Sequence, residues 1–251
     1  MSPMEPSWLW VARGLTLKLA GLLVGMLAFP LALIAVVLWD EIEIVAPNLT
    51  ASHVVAAIIA LVGVGILLDW VGRCFCLTAP SSVQGRPMMV TSVALQFLAL
   101  TFVTTGVMAN VVPLPADVTV WSVFLAAIVL SGACQFAAAC CFSSFLQSLA
   151  RHVDRADIER LAGKVVGLLA ALGPSIFSLA VLAAIVIVVS IALGFCGFFV
   201  FVGGAIVWIP VAAVVAVVVL LMYAFYGIVL LQLRSAIVNR LDSEQAFREM
   251  E

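Results

Sequence analysis

An all-α, polytopic bundle of six transmembrane helices with both termini cytoplasmic is the fold this sequence predicts, and three observations predict it. Composition is the first: 66% of the 251 residues are apolar and 10% are charged, with a mean hydropathy of +1.32. A soluble domain averages about 45–50% apolar and about 25% charged residues. The second is run length, since apolar stretches longer than about 18 residues, enough to cross a bilayer, recur along the chain. The third is charge placement, because the eleven Lys and Arg residues all fall on alternate sides of those stretches. The same composition excludes disorder, which needs low hydrophobicity and high charge. A net charge of −2 and a pI near 5.6 leave no basic footprint for nucleic acid.

The chain reads as a single membrane domain, 1–251, with spans at about 17–39, 53–72, 88–109, 119–150, 165–193 and 203–233. Ahead of span 1, Trp8, Val11 and Leu15 share one face. That segment either lies in the interface or forms the first turns of span 1. Its apolar run is too long for a cleaved signal peptide. The break from Asp40 to Thr50 ends span 1, and Pro80-Ser81-Ser82 lies in the break before span 3. Pro113 and Pro115 stop helix propagation before span 4. Span 4 exceeds the ~30 Å hydrocarbon core and must tilt or project beyond it. A charged stretch, Arg151 to Lys164, follows it. There Asp154 is expected to cap a short cytoplasmic connector helix over about 154–164, with Asp157 three positions on. The glycine-rich 194–204 segment is either a loop or a partly re-entrant stretch.

Basic residues fix the orientation. Arg13 and Lys18 flank the start of span 1, and Arg73 and Arg86 lie in the second break. Arg151, Arg155, Arg160 and Lys164 occupy the fourth break, and Arg234, Arg240 and Arg248 follow span 6. Lys and Arg accumulate in short cytoplasmic loops. Both termini are therefore expected in the cytoplasm of a plasma or bacterial inner membrane. Trp8, Trp10, Trp39, Trp70, Trp121 and Trp208 all fall near span ends, where an amphipathic indole sits best.

Pro30, Pro174 and Pro210 lie inside spans, and each predicts a bend. Gly21 with Gly25, Ala56 with Ala60 and Ala133 with Ala137 have the small-xxx-small spacing that lets membrane helices approach closely. Three spans plus three have the parity of an inverted repeat, yet Phe29-Pro30-Leu31 and Ile209-Pro210-Val211 share only low-complexity similarity.

Few residues offer chemistry. Asp69 is the one acid within the apolar limits of a span, and Arg73 follows four positions later on the same face. It is either an interfacial ion-pair partner or part of a proton or cation relay. In the first case Asp69→Asn should leave folding and any measured flux nearly unchanged. Gln96 and Gln135 either hydrogen-bond across adjacent spans or line a polar path with Thr101, Thr104 and Thr105. Asp40, Glu41, Glu43 and Asp117 form an acidic outer mouth that concentrates cations, or a surface that orientation rules leave free to be acidic.

Cys74, Cys76, Cys140 and Cys141 fall at a similar depth by helical rise and offer one possible thiol metal cluster. They are otherwise small apolar residues on the reducing side. Lys18 and Lys164 are both expected at span ends, leaving no lysine at mid-membrane. No nucleophile triad, zinc-binding helix motif or phosphate loop is present. No cofactor is therefore expected, and the expected partners are the lipid bilayer and copies of this chain or another membrane protein. A non-catalytic, self-associating or accessory membrane subunit is the first functional expectation. A channel or carrier for small cations or solutes is the second, and a membrane-embedded enzyme the third.

Overall fold

Helices account for almost all of the chain that can be described. The computed structural model describes residues 7–37, 51–108, 120–192, 217–218, 220–243 and 246. Within them lie α1 (Ser7–Val37), α2 (Ala51–Cys76), α3 (Arg86–Met108), α4 (Val120–His152), α5 (Ala156–Ala192) and α6 (Leu220–Ser243). No strand occurs among the described residues. Among the described residues, five stretches are long and apolar enough to cross a membrane: Ser7–Ala28, Ala56–Cys76, Arg86–Gly106, Val129–His152 and Leu220–Ser243. The six-span expectation is in rough agreement with this. The protein is an integral membrane protein.

Large apolar side chains lie both inside the helix contacts, as Phe142, Leu146 and Leu230 do, and on the outside. Leu23, Leu27, Ile59, Leu67, Val90 and Phe97 are exposed, whereas Lys18, Arg73, Ser92, Gln96, Ser131 and Ser143 are buried. Lipid tails are as apolar as Leu, so leaving Leu outside loses nothing in a bilayer, and the polar groups turn inward.

The helices group into two compact units. The first holds α1, α2, the loop to Arg86 and α6 from Gly227 onward. Here α1 and α2 run antiparallel. A Cβ on Gly14 would stand 2.6 Å from the Gly72 carbonyl oxygen, and one on Gly21 would stand 2.7 Å from that of Gly65. Contacts that close leave no room for any side chain, so the two backbones meet at two crossings seven residues apart. α6 runs antiparallel to α1 as well: Arg234 Nε donates to Thr16 Oγ1 at 2.8 Å. Toward the other end Gly227 faces Leu22 and Leu19. Val229, Leu230, Leu233, Ala236 and Ile237 form the buried stripe of α6. Trp8, Val11 and Leu15 are buried too, so the segment before residue 17 is the first turns of the α1 helix. The α2–α3 loop closes back on this end, with Thr78 Oγ1 donating to the carbonyls of Phe75 (2.7 Å) and Ser7 (3.4 Å).

The second unit spans Pro87–Tyr226. Buried Ser92 Oγ donates to the Ala138 carbonyl at 2.8 Å, tying α3 to α4. α4 and α5 form an antiparallel hairpin, with Gly163 against Gln147 and Gly173 beneath the Phe136 ring. Phe142 packs edge-on to Tyr226 at 6.2 Å between centroids. The elbow between α4 and α5 differs from expectation. Asp154 is the left-handed residue (φ 65°) that ends α4, and Arg155 N–H bonds back to Ala150 O at 3.0 Å. Asp154 N–H bonds Arg151 O at 3.2 Å, completing a Schellman motif. Glu159 N–H then bonds Arg155 O at 2.9 Å, so Arg155, and not Asp154, caps α5. The stretch 154–164, expected as a separate connector, is mostly the N-terminal part of one 37-residue helix. Pro174 lies inside that helix. Pro210 and the 194–204 segment lie outside the described residues.

Candidate functional site

Between the two glycine crossings of α1 and α2 lies a cluster of three charges. Lys18 Nζ bonds Asp69 Oδ1, and Arg73 Nε donates to Asp69 Oδ2 at 3.0 Å. The side chains of Lys18 and Arg73 are only 2% and 6% exposed, against 23% for Asp69. The expected Asp69–Arg73 pair is thus present, but its carboxylate is shared with a second cation from another helix.

Lys18, expected to flank the start of span 1, is not at the start of the helix. α1 begins at Ser7, which puts Lys18 about 17 Å along it at 1.5 Å per residue. Lys18 is thus a buried lysine well inside α1. The glycines explain how it reaches its partner. With Gly14 and Gly21 on α1 and Gly65 and Gly72 on α2, the backbones come close enough for a lysine to bridge them. Gly72 has Lys18 N and Cβ within 2.8 and 3.1 Å of where its own Cβ would stand.

One carboxylate facing two cations leaves the three groups with a positive excess. Burying charges in a low-dielectric setting is costly unless they are paired and hydrogen-bonded, and the bidentate use of Asp69 meets that requirement. Its chemistry is that of a clamp that fixes the register of α1 on α2. Cys76, fully buried beside Gly14, closes the cluster on the loop side. An outer layer of aromatic contacts follows: Trp10 packs against Phe75 in a tilted pair at 5.4 Å between centroids, and Arg13 lies over the Trp10 ring at 4.8 Å.

The other expected site residues are dispersed. Gln96 is buried on α3 and Gln135 half-buried on α4. Thr101, Thr104 and Thr105 are exposed, and each hydroxyl donates to a carbonyl of α3, Thr101 to Phe97 O at 3.0 Å and Thr105 to Thr101 O at 2.8 Å. Their hydroxyls are therefore committed to their own helix. Among the described residues no group of three or more His, Cys, Asp and Glu side chains gathers around a possible metal position. Cys74, Cys76, Cys140 and Cys141 are free thiols, the first two in one unit and the last two in the other. Asp40, Glu41, Glu43 and Asp117 lie outside the described residues.

At the α4–α5 elbow, Arg151 Nη2 bonds Glu159 Oε1 at 2.7 Å and Arg155 Nη2 bonds Asp157 Oδ2 at 2.7 Å. The Arg155 hydrogen bond, more than any other influence, holds the Asp157 carboxyl down at about 2.

Of the small-xxx-small pairs, Gly21 with Gly25 lies at the α1–α2 contact, where a Cβ on Gly65 would meet Gly21 O at 3.3 Å and Gly25 N at 3.5 Å. Ala56, Ala60 and Ala133 are exposed instead. The seven-residue spacing of Gly14 with Gly21 and of Gly65 with Gly72 completes the contact. No family model, curated protein or solved structure matches this chain.

Proposed function

We propose that this chain is a non-catalytic membrane subunit that assembles, through its exposed helix faces, with copies of itself or with another membrane protein. The observation that carries this reading is how the polar groups of the described spans are used. Asp69 is taken up by Lys18 and Arg73, and the α3 threonines by their own carbonyls. The faces left over are broad and apolar, with Ile59, Leu67 and Phe97 each more than half exposed. Such faces meet lipid or another helix. Both termini lie on the cytoplasmic side of a plasma or bacterial inner membrane. That orientation follows from the basic residues near the start of α1 and the end of α6, which the antiparallel packing of these helices brings to one end of their unit.

Cross-linking in native membranes tests the assembly. Cysteines at Ile59 and Leu67, treated with a short thiol cross-linker, should yield a band of doubled mass or a discrete heavier adduct. Monomer at every cross-linker concentration, with normal expression, would count against the reading.

A carrier for small cations or solutes is the second reading. It is favoured by the partial exposure of the Asp69 carboxylate within an otherwise buried charge cluster. Liposome flux that Asp69→Glu retains and Asp69→Asn abolishes, with both variants folded, would move the proposal to that class.

A further inference from the structure

We infer that the groove between α1 and α6 holds one anionic phospholipid, with its phosphate bound by Arg13 and Arg234. Two arginines from different helices are gathered here by separate restraints. Arg13 is exposed and lies over the Trp10 ring at 4.8 Å. Arg234 is held by its Nε on Thr16 Oγ1 at 2.8 Å. Thr16 is three residues beyond Arg13, so the two side chains share one face of α1 within a single turn. Among the described residues neither arginine pairs with a carboxylate. Arg13 and Thr16, the anchor of Arg234, are thus one turn apart on α1, and two like charges on one face favour an anion between them; planar forks of donors suit a phosphate.

What lies beyond the pair identifies that anion as a lipid. Continuing along the same face of α1 are Leu23, Leu27 and Leu31, all exposed. Leu231, also exposed, lies one turn from Arg234 on α6. At 1.5 Å per residue, Thr16 to Leu27 spans about 16 Å, close to half of a ~30 Å hydrocarbon core. A cationic head position followed by one leaflet's length of exposed leucine matches a phosphodiester headgroup with its acyl chain. A free phosphate would have no use for the leucines, and a neutral lipid none for the second arginine.

The test is thermal melting of the full-length, delipidated protein in mild detergent, with added phosphatidylglycerol, phosphatidylcholine or inorganic phosphate. Phosphatidylglycerol alone should raise the melting temperature, and the shift should shrink with added salt. At about 1 kcal/mol for each basic residue near an anionic headgroup, Arg13→Gln with Arg234→Gln should weaken its apparent affinity about 30-fold. Lys164→Gln, a charge removed from the other unit, should leave the affinity unchanged. If the double variant does not fold, Thr16→Val supplies the same comparison, since it frees Arg234 without changing charge and should weaken the affinity several-fold. Equal shifts from both lipids, a shift from inorganic phosphate alone, or full affinity in the arginine and Thr16 variants would overturn the inference.

Discussion

Asp69→Asn and Lys18→Met are isolated changes to the same cluster, and the structure assigns them very different consequences. Removing the carboxylate charge leaves Lys18 and Arg73, only 2% and 6% exposed, facing each other across a close glycine contact. Removing one partner of a buried ion pair costs about 3–5 kcal/mol, because the remaining charge stays buried. For a chain of this size that is a fall in melting temperature on the order of 10 °C. Lys18→Met acts the other way on charge, leaving the neutral pair of Asp69 with Arg73. An apolar side chain of similar volume then fills the space, which is often neutral or stabilising. The assay can use the protein's own thiol, since Cys76 is fully buried and reacts with a fluorogenic maleimide once α1 and α2 separate. The expected order of melting temperatures is Lys18→Met at or above wild type, and Asp69→Asn well below. Equal losses for the two, or an undisturbed Asp69→Asn, would refute the idea that this carboxylate holds together an excess of buried positive charge.

Three further outcomes follow from local geometry. Gly72→Ala would push a methyl to 2.7 Å from the Gly14 carbonyl and 2.8 Å from Lys18 N. It should lower stability by about 1–3 kcal/mol as overpacking does, whereas Gly63→Ala, which meets open space, should raise it by about 0.5–1 kcal/mol. Melting curves of the two variants should therefore move in opposite directions. At the α4–α5 elbow, Asp154 has φ 65°, so Asp154→Gly should stabilise by up to ~1 kcal/mol and Asp154→Val should destabilise, read by protection of the elbow from proteolysis. The Asp157 carboxyl, held at about 2 by Arg155, contributes to stability above about pH 4 and loses that contribution as the pH falls through 2. Arg155→Gln should return its titration toward 3.8, visible as a carboxyl carbon shift by NMR in micelles.

How far this was legible from sequence depends on which force decides each feature. Span number follows from composition, because a bilayer demands long apolar runs and little else. The Asp69–Arg73 pair is likewise local, since positions four apart on a helix always share a face. Lys18 was not legible as a partner because its reading depended on where α1 starts. With the span placed at 17 it reads as an end residue, and with the helix starting at Ser7 it lies well inside. The buried Trp8, Val11 and Leu15 face was the available signal for the earlier start.

The helix contact is legible only in part. Small-xxx-small spacing finds Gly21 with Gly25, which lie against Gly65, but the second crossing is reached through glycines seven apart, Gly14 with Gly21 and Gly65 with Gly72, once every two turns. Asp154 shows a third kind of gap. An aspartate before a helix reads as an N-cap, but the Schellman bonds to Ala150 and Arg151 assign it to the end of the preceding helix, a choice made by chain reversal that a local motif does not encode.

The claim that this chain works by assembly is tested most directly by its native mass after extraction in mild detergent. The expected mass is a defined multiple of the 26.5 kDa chain, or one chain with a second polypeptide in constant ratio. A single 26.5 kDa chain carrying only lipid, at every protein concentration and in every mild detergent tried, would contradict it.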